Sequence, residues 1–143
     1  MASQFQLLVY EGYLGKDPEM RYTPNGTAVT NFNLGSTRSY MANGEKVDEV
    51  TWLRVTAWGK LAEFIYNNAV KGSHVFVQGV LRPSKNGSPN TFQLKNGEWA
   101  SSFDVTARQI RLISSPQHPN SNQVEELTDD VEFFDEDVAE MPY

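Results

Sequence analysis

Trp52, Arg54, Thr56 and Trp58 recur at every second position, and Lys60 follows two residues on. In an extended strand, alternate side chains share a face, so this set lies on one side and Leu53, Val55 and Ala57 on the other. Two flat π-faces interleaved with a guanidinium make a platform on which nucleobases stack while cations follow the phosphates. The second set is suited to filling a core. The same spacing also fits ordinary core aromatics with Arg54 snorkelling at the rim, and exposure of the two tryptophans separates the readings.

Other chemistry is weakly represented. Asp17 with Glu19, and Asp48 with Glu49, could hold Mg²⁺ for nuclease action, but neither pair has a recognisable ligand spacing. Asp17 precedes Pro18 as in a turn, and Asp48-Glu49 is expected in a polar loop beside Asn43-Gly44. Gly15-Lys16 is followed by Asp17, and Tyr10 stands where a phosphate-binding loop requires glycine. With no cysteine and only His74 and His118, thiolate catalysis, disulfides and a His-rich metal centre are excluded. A binding protein with no cofactor and no metal is therefore expected, not an enzyme.

A chain of 143 residues with 39% hydrophobic residues builds one core. The formal charge of −6 hides two opposite segments. Residues 1–115 carry all 12 Lys and Arg against nine acids, whereas residues 116–143 carry nine acids and no Lys or Arg. A basic body is thus joined to an acidic tail. The first residues lack a basic stretch followed by a long apolar run, and no apolar run spans a bilayer, so a cytoplasmic location is expected.

Three segments follow: a folded domain over 1–115, a linker over 116–124 that is polar around Pro116 and Pro119, and an acidic tail over 125–143, expected to be disordered when alone. Within the domain, runs rich in β-branched and aromatic residues predict strands near 5–14, 27–38, 51–58, 74–82 and 102–113. Pro24-Asn25-Gly26 predicts a reversal into the second strand. Leu61, Phe64, Ile65 and Ala69 recur at helical spacing, with Gly72 as terminator, so one helix is predicted between strands three and four. This is an all-β arrangement with the element order of an OB-fold barrel, whose strands and loops take oligonucleotides or oligosaccharides. Residues 83–100 form an excursion between the last two strands. Tyr22, Tyr40, Phe92 and Trp99, near turns and long connections, are secondary stacking candidates.

The body resembles the bacterial-type single-stranded DNA-binding proteins. The resemblance is carried by Gly12-Tyr13-Leu14-Gly15-Lys16-Asp17-Pro18-Glu19-Met20-Arg21-Tyr22-Thr23-Pro24-Asn25-Gly26, then by Thr51-Trp52-Leu53-Arg54-Val55, Trp58-Gly59-Lys60-Leu61-Ala62-Glu63 and Val70-Lys71-Gly72-Ser73 in the same order. It implies an OB-fold homotetramer that binds single-stranded DNA with little sequence preference and protects it during replication, recombination and repair. It also implies stacking at Trp52, Trp58 and Tyr40 and phosphate contacts at Arg54, Lys60 and Lys71.

The terminus resembles the partner-binding tip of the same family, here Asp135-Glu136-Asp137-Val138-Ala139-Glu140-Met141-Pro142-Tyr143. The resemblance implies that Asp135, Glu136, Asp137, Met141, Pro142 and Tyr143 recruit replication and repair proteins. A terminal aromatic ring and carboxylate suit an apolar pocket rimmed by Arg or Lys. The chain departs from the family pattern at Leu7, where a basic residue is usual. It departs again at Asn86, where an arm aromatic is usual and for which Phe92 or Trp99 could substitute.

Overall fold

The computed structural model describes residues 2–116. The expectations for the linker beyond Pro116 and for the acidic tail lie outside them. Strands β1 (Leu8–Leu14), β2 (Glu19–Tyr22), β3 (Ala28–Ala42) and β4 (Glu45–Trp58) lead into helix α1 (Lys60–Asn68). They are followed by β5 (His74–Leu81), β6 (Asn90–Gln93) and β7 (Trp99–Ser114). The five expected strands and the helix are all present, and β2 and β6 are added to them. These two are short pieces of four residues each, too brief for a period-2 pattern to stand out.

Local chemistry sets each reversal. Between β2 and β3, the Thr23 N–H donates to the Thr27 carbonyl (2.9 Å) and Gly26 takes φ 84°. Between β3 and β4, Asn43 and Gly44 adopt φ 52° and 81°, the pair of positive φ values that a two-residue hairpin with native twist requires. Ala42 therefore faces Glu45, and the hairpin continues in register down to Val29 opposite Trp58. Asp48 and Glu49 accordingly lie in β4, not in the loop expected from their polarity. Asp48 faces Ser39 and accepts its hydroxyl (2.6 Å), while Glu49 faces Arg38.

The barrel closes in the order β1–β5–β7–β4–β3 and back to β1, with β2 added to β3 and β6 to β7. All of these pairings are antiparallel except β4–β7. Inward positions are apolar: Phe32 and Leu34 from β3, Val55 and Ala57 from β4, Val75 and Val77 from β5, Ile110 and Leu112 from β7. Helix α1 covers this core with Leu61, Ala62 and Ile65, all fully buried. The Thr30 hydroxyl fixes its position by donating to the Ala62 carbonyl (2.8 Å) across the buried interface. Among the described residues no helix is long and apolar enough to cross a membrane.

Candidate nucleic-acid interface

Strand β4 is the spine of the site. Its alternation sends Leu53, Val55 and Ala57 into the core and leaves Trp52, Arg54, Thr56 and Trp58 on the outer face. Trp52 is 53% exposed, which decides against a core role for it. Thr56 is buried; its hydroxyl donates to Asn31 Oδ1 (2.9 Å) and receives a long hydrogen bond from Arg82 Nη1 (3.4 Å). Trp58 is half-buried with its Nε1 enclosed, and so presents less of its ring than Trp52 does.

Two glycines shape the tryptophan seat. Gly35 is the cross-strand partner of Trp52, and a Cβ placed there would lie 2.9 Å from the ring atoms Cη2 and Cζ3. A Cβ at Gly15 would lie 2.8 Å from Cζ3. The indole therefore rests against bare backbone on one side, at a distance that a side chain would not permit. Glycine is required here for close approach and not for an unusual φ.

Trp52 and Arg54 line an open groove of about 480 Å³ together with Asn33, Phe92, Ser102 and Phe103. Arg54 is exposed and enters no ion pair among the described residues, although Asp104 is its register partner on β7. The Asp104 carboxylate is engaged elsewhere. Ser102 Oγ donates to its Oδ1 (2.7 Å) and Asn90 Nδ2 to its Oδ2 (3.0 Å). Asn90 also donates to the Arg82 carbonyl (3.0 Å), which fastens the base of the β6–β7 arm to the end of β5.

The six sequence-derived contacts are not gathered into one patch. Trp52 and Arg54 share the groove. Trp58 and Lys60 lie at the far end of β4, about 20 Å along the strand from Trp52 at ~3.3 Å per residue, with Lys60 exposed as the first residue of α1. Tyr40, 40% exposed, sits near the hairpin tip with the Arg38 guanidinium 5.1 Å from its ring centroid. Alternation along β3 puts it on the ribbon face opposite to Gly35 and Trp52. Lys71 is exposed in the turn before β5, where its backbone N–H donates to Asp17 Oδ1 (2.7 Å).

Phe103 was not legible as a surface residue. It shares the phase of Val105 and Ala107, which are buried, yet it is 56% exposed because β7 runs beyond the end of the barrel. The available signal was its position next to the long excursion, where strands outrun the core.

The sequence matches the Single-strand binding protein family over residues 5–113. The chain belongs to that family. It is 33% identical over 103 residues to proteins named "Single-stranded DNA-binding protein" from two strains of Neisseria meningitidis, one of serogroup A and one of serogroup B. The match covers 71% of this chain and 56% of each relative, so it spans little more than half their length.

Three of the four acids weighed for metal binding have structural partners: Asp17 ties the loop after β1 to the turn before β5, and Asp48 and Glu49 bond across the hairpin. Among the described residues no group of three or more His, Asp or Glu could hold a metal ion. The expected tail contacts, Asp135, Glu136, Asp137, Met141, Pro142 and Tyr143, lie outside the described residues.

Proposed function

We propose that this chain binds single-stranded DNA with little sequence preference, by stacking bases on Trp52 and neutralising phosphates with Arg54 and the cations beyond it. The observation that carries the reading is the half-exposed Trp52 ring seated against Gly15 and Gly35, with a guanidinium two residues along the same strand face that enters no ion pair among the described residues. Stacking on a fixed π-face tolerates any base, and a free cation gains by meeting phosphate. Trp58 with Lys60 extends the track along β4 and Lys71 continues it at the turn before β5, while Tyr40 with Arg38 meets a strand that wraps to the other face of the hairpin. The action is protection of exposed strands in the cytoplasm during replication, recombination and repair, without catalysis.

The assembly is a homotetramer. Supporting this, β1 meets β3 only at Tyr13 and Leu14, so one edge of Leu8–Gly12 has no strand partner among the described residues. Exposed Leu7 and Val9 flank that edge. An open strand edge with apolar neighbours suits a second copy. The acidic tip from Asp135 to Tyr143 recruits basic-rimmed partner proteins.

Salt titration tests the binding mode. The log of the affinity for oligothymidylate is expected to fall linearly with log salt, at about −0.7 per phosphate contact. A flat response contradicts cation-led binding. Removal of Glu136 to Tyr143 is expected to leave that affinity in place and abolish partner recruitment. A full chain that recruits partners through its tail yet does not bind oligothymidylate would instead favour an adaptor whose body organises a complex, with DNA contact incidental.

The glycine seat gives a milder test. Gly35→Ala is expected to displace the Trp52 ring and lower oligothymidylate affinity about fivefold, the low end of what one stacked base contributes. An unchanged affinity in a binding assay would mean that the seat is not needed for stacking.

A further inference from the structure

Four Asn-Gly pairs stand in the sequence, at residues 25–26, 43–44, 86–87 and 96–97. Asparagine before glycine is chemically labile, because no Cβ on the following residue keeps its backbone nitrogen from the asparagine side-chain carbonyl. All four pairs are exposed at turns, and a Cβ on any of the four glycines would meet nothing within 4 Å. Access therefore does not tell them apart, whereas hydrogen bonding does.

Three of the four turns are built alike. The Gly26 N–H donates to the Thr23 carbonyl (2.8 Å), the Gly87 N–H to the Ser84 carbonyl (3.0 Å) and the Gly97 N–H to the Leu94 carbonyl (2.9 Å). In each, the glycine nitrogen is the donor that closes the turn. At Asn96 the side-chain oxygen is engaged too, accepting the Glu98 N–H (3.0 Å). The turn between β3 and β4 differs because it is two residues long: Ala42 and Glu45 flank it, and Asn43 and Gly44 occupy its centre. Among the described residues neither the Gly44 N–H nor the Asn43 side chain makes a hydrogen bond.

The ribbon behind this tip is thin. Residues 36–42 pair with 45–51, and no third strand is in register with either among the described residues. A two-stranded ribbon is marginal in water and frays from its end. Fraying lets the Asn43 backbone rotate until the Gly44 nitrogen meets the side-chain carbonyl.

We propose that Asn43 is a modification site at which the chain converts spontaneously to isoaspartate, selected among four identical dipeptides by the one turn that leaves the glycine nitrogen unbonded. The Gly44 nitrogen attacks the Asn43 side-chain carbonyl carbon. A C–N bond forms, the bond to Nδ2 breaks, and ammonia leaves with the proton that the Gly44 nitrogen gives up. The cyclic imide then takes up one water. Opening at the side-chain carbonyl gives aspartate, and opening at the main-chain carbonyl gives isoaspartate, with one extra carbon in the backbone of the turn. Water is the only co-reactant. Either product adds a negative charge at the tip, and isoaspartate also spoils the closure of Ala42 on Glu45. The effect on binding rests on the single-strand-binding reading, in which Tyr40 and the Arg38 guanidinium above its ring meet DNA from this same ribbon. A new negative charge beside them opposes phosphate.

The test is peptide mapping of the full chain after incubation in warm, mildly alkaline buffer. Isoaspartate is expected to accumulate at position 43 about fivefold faster than at 25, 86 or 96, the factor set by one net hydrogen bond. In urea the four rates are expected to converge. Faster conversion at any of the other three in the folded chain, or the same order of rates in urea, would overturn selection by the turn. Asn43→Gly keeps a residue suited to positive φ and removes the amide, so it should fold as wild type and form no product at the tip. Chain converted at Asn43 is expected to bind oligothymidylate about threefold more weakly than fresh chain, as one exposed charge can cause, while Asn43→Gly incubated alongside keeps its affinity. Unchanged affinity after conversion would overturn the effect on binding. Fresh chain that fails to bind oligothymidylate would refute the underlying reading and not the chemistry at Asn43.

Discussion

Trp52→Ala is expected to lower oligothymidylate affinity about thirtyfold, which corresponds to about 2 kcal/mol within the 1–3 kcal/mol that a stacked base contributes. The melting temperature should change little. The reason is the position of the ring: 53% exposed, on the outer face of β4, and outside the apolar cluster that fills the barrel. Affinity by anisotropy and stability by thermal melting separate the two roles. Had the indole been core, truncation would cost about 3–5 kcal/mol of stability, and binding would fall only because the barrel had failed.

Gly79→Ala is expected to have the largest effect on the fold itself. Gly79 pairs with Ala107 at the irregularity where Gln78 still faces Gln109, so Arg108 is the extra residue of a bulge on β7. A Cβ at Gly79 would run into the Thr106 carbonyl and approach the Ala107 Cα to 3.1 Å. Backbone cannot rotate away as a flexible side chain would, so β5 and β7 must separate. The expected loss is about 3 kcal/mol, a drop in melting temperature on the order of 10 °C. Unchanged melting would show that the two strands do not approach this closely.

Gly79 also shows where the sequence was silent. A glycine inside a strand pattern signals close approach or a bulge, but which strand approaches it is a fact of barrel closure. The same holds for Gly15 and Gly35, whose shared role against Trp52 depends on three strands meeting. By contrast, the faces of β4 followed directly from alternation, and the helix from Leu61 and Ile65 at helical spacing. In the sequence Asn43-Gly44 reads only as the neighbour of a polar loop, and Asp48 and Glu49 fall in that loop because their polarity outweighs period-2 patterning. In the structure their hydrogen-bonding partners are Ser39 and Arg38 across the ribbon, which only the register reveals. The candidate site was legible as far as Trp52 and Arg54 go. Tyr40 was named as a site residue, but its place on the opposite ribbon face depends on how far β3 extends past the barrel.

The fastening of the arm could not be read at all, since Asn90, Ser102 and Asp104 are ordinary polar residues until β6 pairs with β7. Their hydrogen bonds occupy the one acid in register with Arg54 and so leave the guanidinium available to a ligand. Fold and site are linked at this point: the network that positions the arm also ties down the carboxylate next to Arg54.

The most direct test of the account is a titration of intrinsic tryptophan fluorescence with oligothymidylate, run beside a duplex of equal length at low and high salt. Bases stacking on Trp52 should quench the emission strongly with the single strand, weakly or not at all with the duplex, and less as salt rises. Equal response to single strand and duplex, or no quenching at either salt concentration, would contradict a stacking platform on β4.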